Sequence, residues 1–155
     1  GGITEADMFR LTADTANGTN GDITANLERV DDATFSKIGT GMTESSGVFT
    51  FPSTGLYEVT ANPMILANAD TNAYVTGNVS SDSGSTYDEV LVVNNGHNSA
   101  QTITSTIQST LVNVTNASTF RVKFTTADFI SITRVLGATN ANFTSFKFIR
   151  LGDSQ

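Results

Sequence analysis

Residues 47–59 read GVFTFPSTGLYEV. Phe49 and Phe51 are two apart, so a pleated strand puts both rings on one side. Pro52-Ser53-Thr54-Gly55 then breaks the run, because proline presets φ for a turn and glycine tolerates positive φ. A second run continues from Leu56 to Leu66, where Pro63 marks a bulge or an edge. Two alternating runs joined by a tight turn predict antiparallel β-structure at this point.

The same pattern extends in both directions. Toward the N-terminus, Met8–Ala13 predicts a strand with Phe9, Leu11 and Ala13 on one face. Residues 14–26 form a turn-rich loop. Leu27–Val30 and Phe35–Ile38 predict short strands, and 39–47 looks irregular. Toward the C-terminus, Ala73–Ser81 and Tyr87–Asn94 predict strands around the loop DSGST. Residues 102–114, TITSTIQSTLVNV, show the clearest alternation. Ile103, Ile107 and Leu111 share one predicted dry face with Ser105 and Ser109, and threonines and Gln108 line the other. Strands are expected over Phe120–Thr125, Phe129–Val135 and Phe143–Leu151. The last is apolar on both faces, as a central strand or a subunit contact would be. No stretch keeps a helical apolar stripe for three turns. The prediction is an all-β, antiparallel jelly-roll β-sandwich of about ten strands.

Composition agrees. The 155 residues fit one domain with a sizeable core. Ser, Thr and Asn make up 54 of them, and charged residues only 15%. Hydroxyls and amides suit pleats and turns. The net charge of −7 argues against nucleic-acid binding, which needs a basic surface. There is no cysteine, hence no disulfide, thiolate metal site or thiol nucleophile. No apolar run reaches the length of a membrane span, so membrane insertion is not expected. The chain starts at Gly1, so residues 1–7 are expected to be an N-terminal junction and 8–155 a single jelly-roll domain. The closing strand is expected to need little chain beyond Gln155.

GVFTFPSTGLYEV resembles the signature of the globular head of complement component one, subcomponent q. STLVNVTNASTFRVKF and ANFTSFKFIRL fall into register with the same family, from about Met8 to Leu151. The phrase ITANLERVDDATFSKIGTGMTESSGVFTFPSTG is also similar to jelly-roll domains of virion fibre proteins of bacterial viruses, which lack cysteines. The resemblance implies the complement and tumour-necrosis-factor jelly roll, assembled as a homotrimer. It further implies that strands carrying Tyr57, Phe143, Phe146 and Phe148 lie near the threefold axis, making these residues the expected trimer interface.

Other candidate sites are sparse. His97, the only histidine, lies in the loop sequence NNGHNS without a nucleophile elbow, so no catalytic residue is expected. Asp31-Asp32 at a strand end are the calcium candidates, since that ion wants several oxygens. No other cofactor is expected. Asn-x-Ser/Thr matches at 17, 78, 113, 116 and 142 follow from composition. Ligand contacts are expected on polar loops 68–72, 82–86, 94–99 and 137–142, with Tyr74, Tyr87, Asn95 and His97 as candidates. The expected function is non-enzymatic: a virion-surface knob, fibre tip or capsid decoration. It would contact other virion proteins and a host-surface glycan or protein. The alternative is a secreted, extracellular binding module of the same fold.

Overall fold

The computed structural model describes residues 2–155. Fourteen strands follow one another: β1 (Ala6–Leu11), β2 (Gly21–Asp22), β3 (Leu27–Arg29), β4 (Thr43–Ser45), β5 (Val48–Thr50), β6 (Gly55–Asn62), β7 (Met64–Ala67), β8 (Tyr74–Ser80), β9 (Asp88–Asn94), β10 (Thr102–Ser105), β11 (Gln108–Val114), β12 (Arg121–Ala127), β13 (Arg134–Val135) and β14 (Ser145–Gly152). A five-stranded sheet runs β11-β6-β14-β1-β3. A second sheet runs β4-β5-β12-β8-β9, with β2 added to β12. A three-stranded sheet, β10-β7-β13, extends one end. Every pairing is antiparallel. The chain is a jelly-roll sandwich.

The 47–59 stretch behaves as its chemistry demands. Ser46 and Gly47 both take positive φ, +49° and +82°, and close a two-residue hairpin between β4 and β5. A Cβ at Gly47 would strike the Ile23 carbonyl, so the turn requires glycine. Phe49 then points into the core, where it meets Phe9 edge-on at 5.1 Å, Phe124 at 5.9 Å and Phe148 at 5.0 Å. Phe124 and Phe146 stack at 4.0 Å. Tyr57 packs on Phe51 at 4.8 Å, and its hydroxyl and the Ser53 hydroxyl hydrogen-bond at 2.9 Å. These rings from both sheets make up the centre of the core.

Several segments depart from expectation. At Pro63 the chain leaves the five-stranded sheet and enters the three-stranded one as β7, because proline cannot donate to the first ladder. The 102–114 run breaks at Thr106-Ile107 into β10 and β11, which belong to different sheets. Ala6 and Asp7 already pair with Ile149 and Phe148, so the sheet begins inside the segment expected as a junction. Phe35–Ile38 forms no strand and contributes only a bridge from Ile38 to Ala6. Over 129–135 only Arg134–Val135 is strand, although Phe129 is buried.

Strand register defines two ends. Leu11, Asn62, Tyr74, Asn94, Gln108, Ala127 and Ser145 lie at one, together with loops 12–20, 68–73, 95–101 and 128–144. Gly55, Ser80, Asp88, Val114, Arg121 and Gly152 lie at the other. Thr4, Glu5 and the C-terminal residues are at this second end, where the Arg150 N–H donates to the Glu5 carbonyl at 2.9 Å.

Candidate functional site

The β11 strand faces the core with the parity opposite to that predicted. Val112 and Val114, opposite Tyr57 and Gly55 of β6, are buried. Leu111 therefore points outward. Ile103, Ile107 and Leu111 are 54, 65 and 58% exposed, so the predicted dry face is the outer one. Side chains alternate across a strand, and two valines on one parity outweigh one leucine on the other.

This outward stripe does not stand alone. β11 and β9 are the edge strands of their sheets on the same side of the sandwich, and they pack against each other. Val90 and Val92 of β9 are also exposed, on the outer face of the other sheet. The β8–β9 register shifts between Gly77 and Asn78, leaving Val90 without a ladder partner. Such a bulge discourages open-ended strand addition. From residue 90 to residue 120 the chain contains no Asp, Glu, Lys or Arg. On the outer face of the five-stranded sheet the next residue beside Leu111 is acidic. There Leu111 is opposite Glu58, Glu58 opposite Ile149, and Ile149 opposite Ala6. Apolar exposure with charge depletion marks the core of a protein–protein contact. The uncharged run was a readable signal for it; the alternation alone pointed the wrong way.

The residues expected at the trimer interface lie elsewhere. Tyr57, Phe146 and Phe148 are 1, 0 and 1% exposed and belong to the intrachain core. They have no area left to bury against another subunit, which corrects the expectation for all three. Burial raises the pKa of the Tyr57 hydroxyl, with the Ser53 hydrogen bond opposing. Phe143 is partly exposed.

Asp31 and Asp32 face a resident cation. The Arg10 side chain is wholly buried and uses all three of its nitrogens. Its Nε donates to Glu28 at 2.9 Å, Nη1 to both Asp32 oxygens at 3.1 Å, and Nη2 to Asp31 at 2.8 Å and to the Thr139 carbonyl at 2.6 Å. The Glu28 hydrogen bond is the largest influence holding the guanidinium pKa above its usual value, against the effect of burial. The acidic pair therefore closes a structural clamp rather than an open chelate. Among the described residues, no three Asp, Glu or His side chains are grouped to hold a metal ion.

The ligand-contact candidates are dispersed. Asn95 is buried: its Nδ2 donates to the Pro63 and Thr104 carbonyls, and its Oδ1 accepts from Thr106 at 2.6 Å. It ties loops together and presents nothing to a ligand, so that expectation is corrected. His97 is exposed at the loop end, where its backbone forms a two-bond bridge with Asp70. Its Nδ1 accepts from the Ser99 N–H at 3.2 Å, and this is its one side-chain hydrogen bond among the described residues. That arrangement is a loop staple, not a catalytic triad. Tyr74 stands at the same end, donating to Asn72 at 3.2 Å. Tyr87 belongs to the opposite end, where the Lys123 ammonium lies over its ring at 4.2 Å.

Loop 82–86 is also at that opposite end and is held by one carboxylate. Asp82 accepts from the Thr86 hydroxyl at 2.6 Å, the Thr86 N–H at 2.8 Å and the Ser80 hydroxyl at 2.7 Å. These bonds, Thr86 first, lower its pKa from 3.8 to about 2. A depressed folded pKa contributes stability that is present above 3.8 and is lost as pH falls toward 2. NMR titration of Asp82 should show a midpoint near 2, and Thr86→Val should move it up toward the ordinary carboxylate value. An unchanged midpoint in the variant would assign the shift to another cause.

Among the described residues, no helix is long and apolar enough to cross a membrane. No protein-family model matches the sequence. No curated protein matches it either. Solved structures do match in shape. The Eiger TNF structure from S. frugiperda aligns with TM-score 0.70 at 10% identity, covering 97% of this chain and 94% of that one. Murine APRIL aligns with TM-score 0.63 at 9% identity, covering 95% and 98%. The PRD1 vertex protein P5 aligns with TM-score 0.56 at 18% identity, covering 98% and 100%. The fold of this chain is thus a jelly roll similar in shape to that of Eiger TNF and of the PRD1 vertex protein P5.

Proposed function

We propose that this chain is a non-enzymatic, threefold-assembled knob on a virion surface, serving host attachment or virion stabilisation. The observation carrying this reading is the exposed apolar run of Ile103, Ile107 and Leu111 within a stretch, 90–120, that has no Asp, Glu, Lys or Arg. A lone chain leaves this run wet. Burying the exposed half of each side chain contributes about 1 kcal/mol. A contact in which this surface docks on a different surface of the next copy is heterologous and must close into a ring to be finite. Three copies are what the fold resemblance implies. The likeness in shape to the PRD1 vertex protein P5 favours the virion setting. The likeness to Eiger TNF and APRIL favours the second reading, a secreted binding module of the same fold.

A ring of three would carry three copies of the loop end, with His97 and Tyr74 as ligand contacts, and avidity would amplify weak single-site binding. Sedimentation equilibrium is expected to give three times the 16.3 kDa chain mass. Leu111→Asp should sediment as a single chain with its strand circular dichroism intact. Its binding to host cells or a glycan array should fall by about 100-fold or more through lost avidity. A wild-type protein that sediments as one chain would sink the assembly. A trimer that binds no cell and no glycan but binds capsids would leave stabilisation as the role. Failure on all three would remove the virion reading.

A further inference from the structure

Between β1 and β3 the chain makes a closed excursion. It leaves the five-stranded sheet after Leu11, lays β2 against β12 of the other sheet, and returns at Leu27. The Thr12 N–H ties the neck by donating to the Asn26 carbonyl at 2.8 Å. Three more backbone bonds pin the body: Thr15 to Val135 at 2.9 Å, Gly18 to Thr133 at 2.9 Å and Ile23 to Phe124 at 2.8 Å. A compact loop with joined ends ordinarily fills its interior with its own side chains. This one does not. Its alanines and threonines surround a cleft of about 200 Å³, lined at its base by the buried Leu11 and Ile23.

The chemistry of the lining sets the class of occupant. Asp14 and Asp22 are the only charged residues in it, and both are committed. Asp14 accepts from the Arg134 Nε and the Gly137 N–H, each at 3.0 Å. Asp22 accepts from the Lys123 ammonium at 3.1 Å and the Thr125 hydroxyl at 2.9 Å. A cation therefore finds no free carboxylate oxygen, and an anion meets two carboxylates. Neutral donors are in hand instead. Among the described residues, the Thr24 hydroxyl and the Asn26 amide make no hydrogen bond within the chain, and neither do the backbone N–H groups of Thr24, Ala25 and Asn26. The volume falls below the ~300 Å³ at which pockets for drug-sized ligands begin, so the occupant is one small ring.

We propose that this cleft binds a single neutral sugar ring, as the end residue of a glycan. The Thr24 and Asn26 side chains and the three N–H groups hold its hydroxyls. Leu11, Ile23 and the alanine methyls take its C–H face. Because the loop is pinned along its length, the cleft is preformed and binding orders little of the chain. The site lies within one chain and shares no residue with the run of Ile103, Ile107 and Leu111. It goes beyond the threefold reading and does not rest on it.

Amide NMR titration with the methyl glycosides of glucose, galactose, mannose and N-acetylglucosamine tests it, on wild type and on Leu111→Asp. At least one glycoside should shift the amides of Thr24, Ala25 and Asn26 saturably, with a Kd of about 1–10 mM. Ala25→Leu, which occludes the cleft from an exposed position, should weaken binding about tenfold or more, and Thr24→Val severalfold. The affinity should be the same in Leu111→Asp, so a failed assembly and a failed cleft read separately. No saturation by about 50 mM of any glycoside overturns the site. So does an affinity unchanged by Ala25→Leu. Saturation of the same amides by calcium chloride or phosphate, without any by a glycoside, overturns the neutral class. Binding to Leu111→Asp but not to wild type places the cleft inside the assembly and overturns it as a glycan contact.

Discussion

Arg10→Met should lower the urea midpoint by an amount equivalent to about 3 kcal/mol, with the m-value unchanged. Methionine keeps much of the volume, so the loss isolates the polar clamp. Arg10 leaves β1 on the outer side of the sheet, yet it is buried because residue 139 and the Asp31-Asp32 turn close over it. Removing the guanidinium orphans the Thr139 carbonyl and brings three carboxylates together without a cation. A fully buried pair broken on one side costs about 3–5 kcal/mol. The figure here takes the low end because Asp31, Asp32 and Glu28 keep 71, 41 and 31% of their side-chain exposure. Arg10→Lys should recover less than half, because one ammonium cannot serve a three-sided fork. Glu28→Gln, which keeps an acceptor, should cost well under half of the Arg10→Met loss. A wild-type midpoint in Arg10→Met would show that the clamp adds nothing to stability.

That clamp also shows where sequence reading stopped. Asp31-Asp32 read as oxygen donors for a cation, and they are; the cation is an arginine 21 residues earlier, supplied by a neighbouring strand. Nothing local to the pair distinguishes that from calcium, because the partner is set by the β1–β3 pairing of Phe9 with Arg29 and Arg10 with Glu28. The turn at Pro52, which carries the chain from β5 in one sheet to β6 in the other, was legible because glycine, proline and paired phenylalanines each act within a few residues. The outward turn of Leu111 was not legible from alternation, since period two names two faces without saying which is inside. Parity was decided by the contact of Val112 and Val114 with β6, whose partners Tyr57 and Gly55 lie more than fifty residues earlier in the chain. Likewise Phe146 and Phe148 alternate with Lys147 and Ile149, and only the central position of β14 between β6 and β1 makes their side the core.

Phe148→Ala separates that core from the proposed interface. Phe148 is buried against Phe49 at 5.0 Å and near Phe124 at 6.5 Å, within the aromatic cluster that joins the two sheets. Truncation should cost about 3–5 kcal/mol through lost transfer energy and the cavity left behind. Lost aromatic pairing is part of that cost, about 0.5–1.5 kcal/mol per pair. The thermal midpoint should fall by many degrees. The chains that remain folded should nevertheless sediment as wild type does, because no Phe148 surface reaches a partner. Leu111→Asp should do the reverse: the side chain is 58% exposed, so the fold of one chain loses little while the assembly is lost. Unfolding by urea and sedimentation in its absence, measured on both variants, therefore give crossed results. Monomer release by Phe148→Ala at full folding would return the ring to the interface, and with it the assignment of the outward edge would fail.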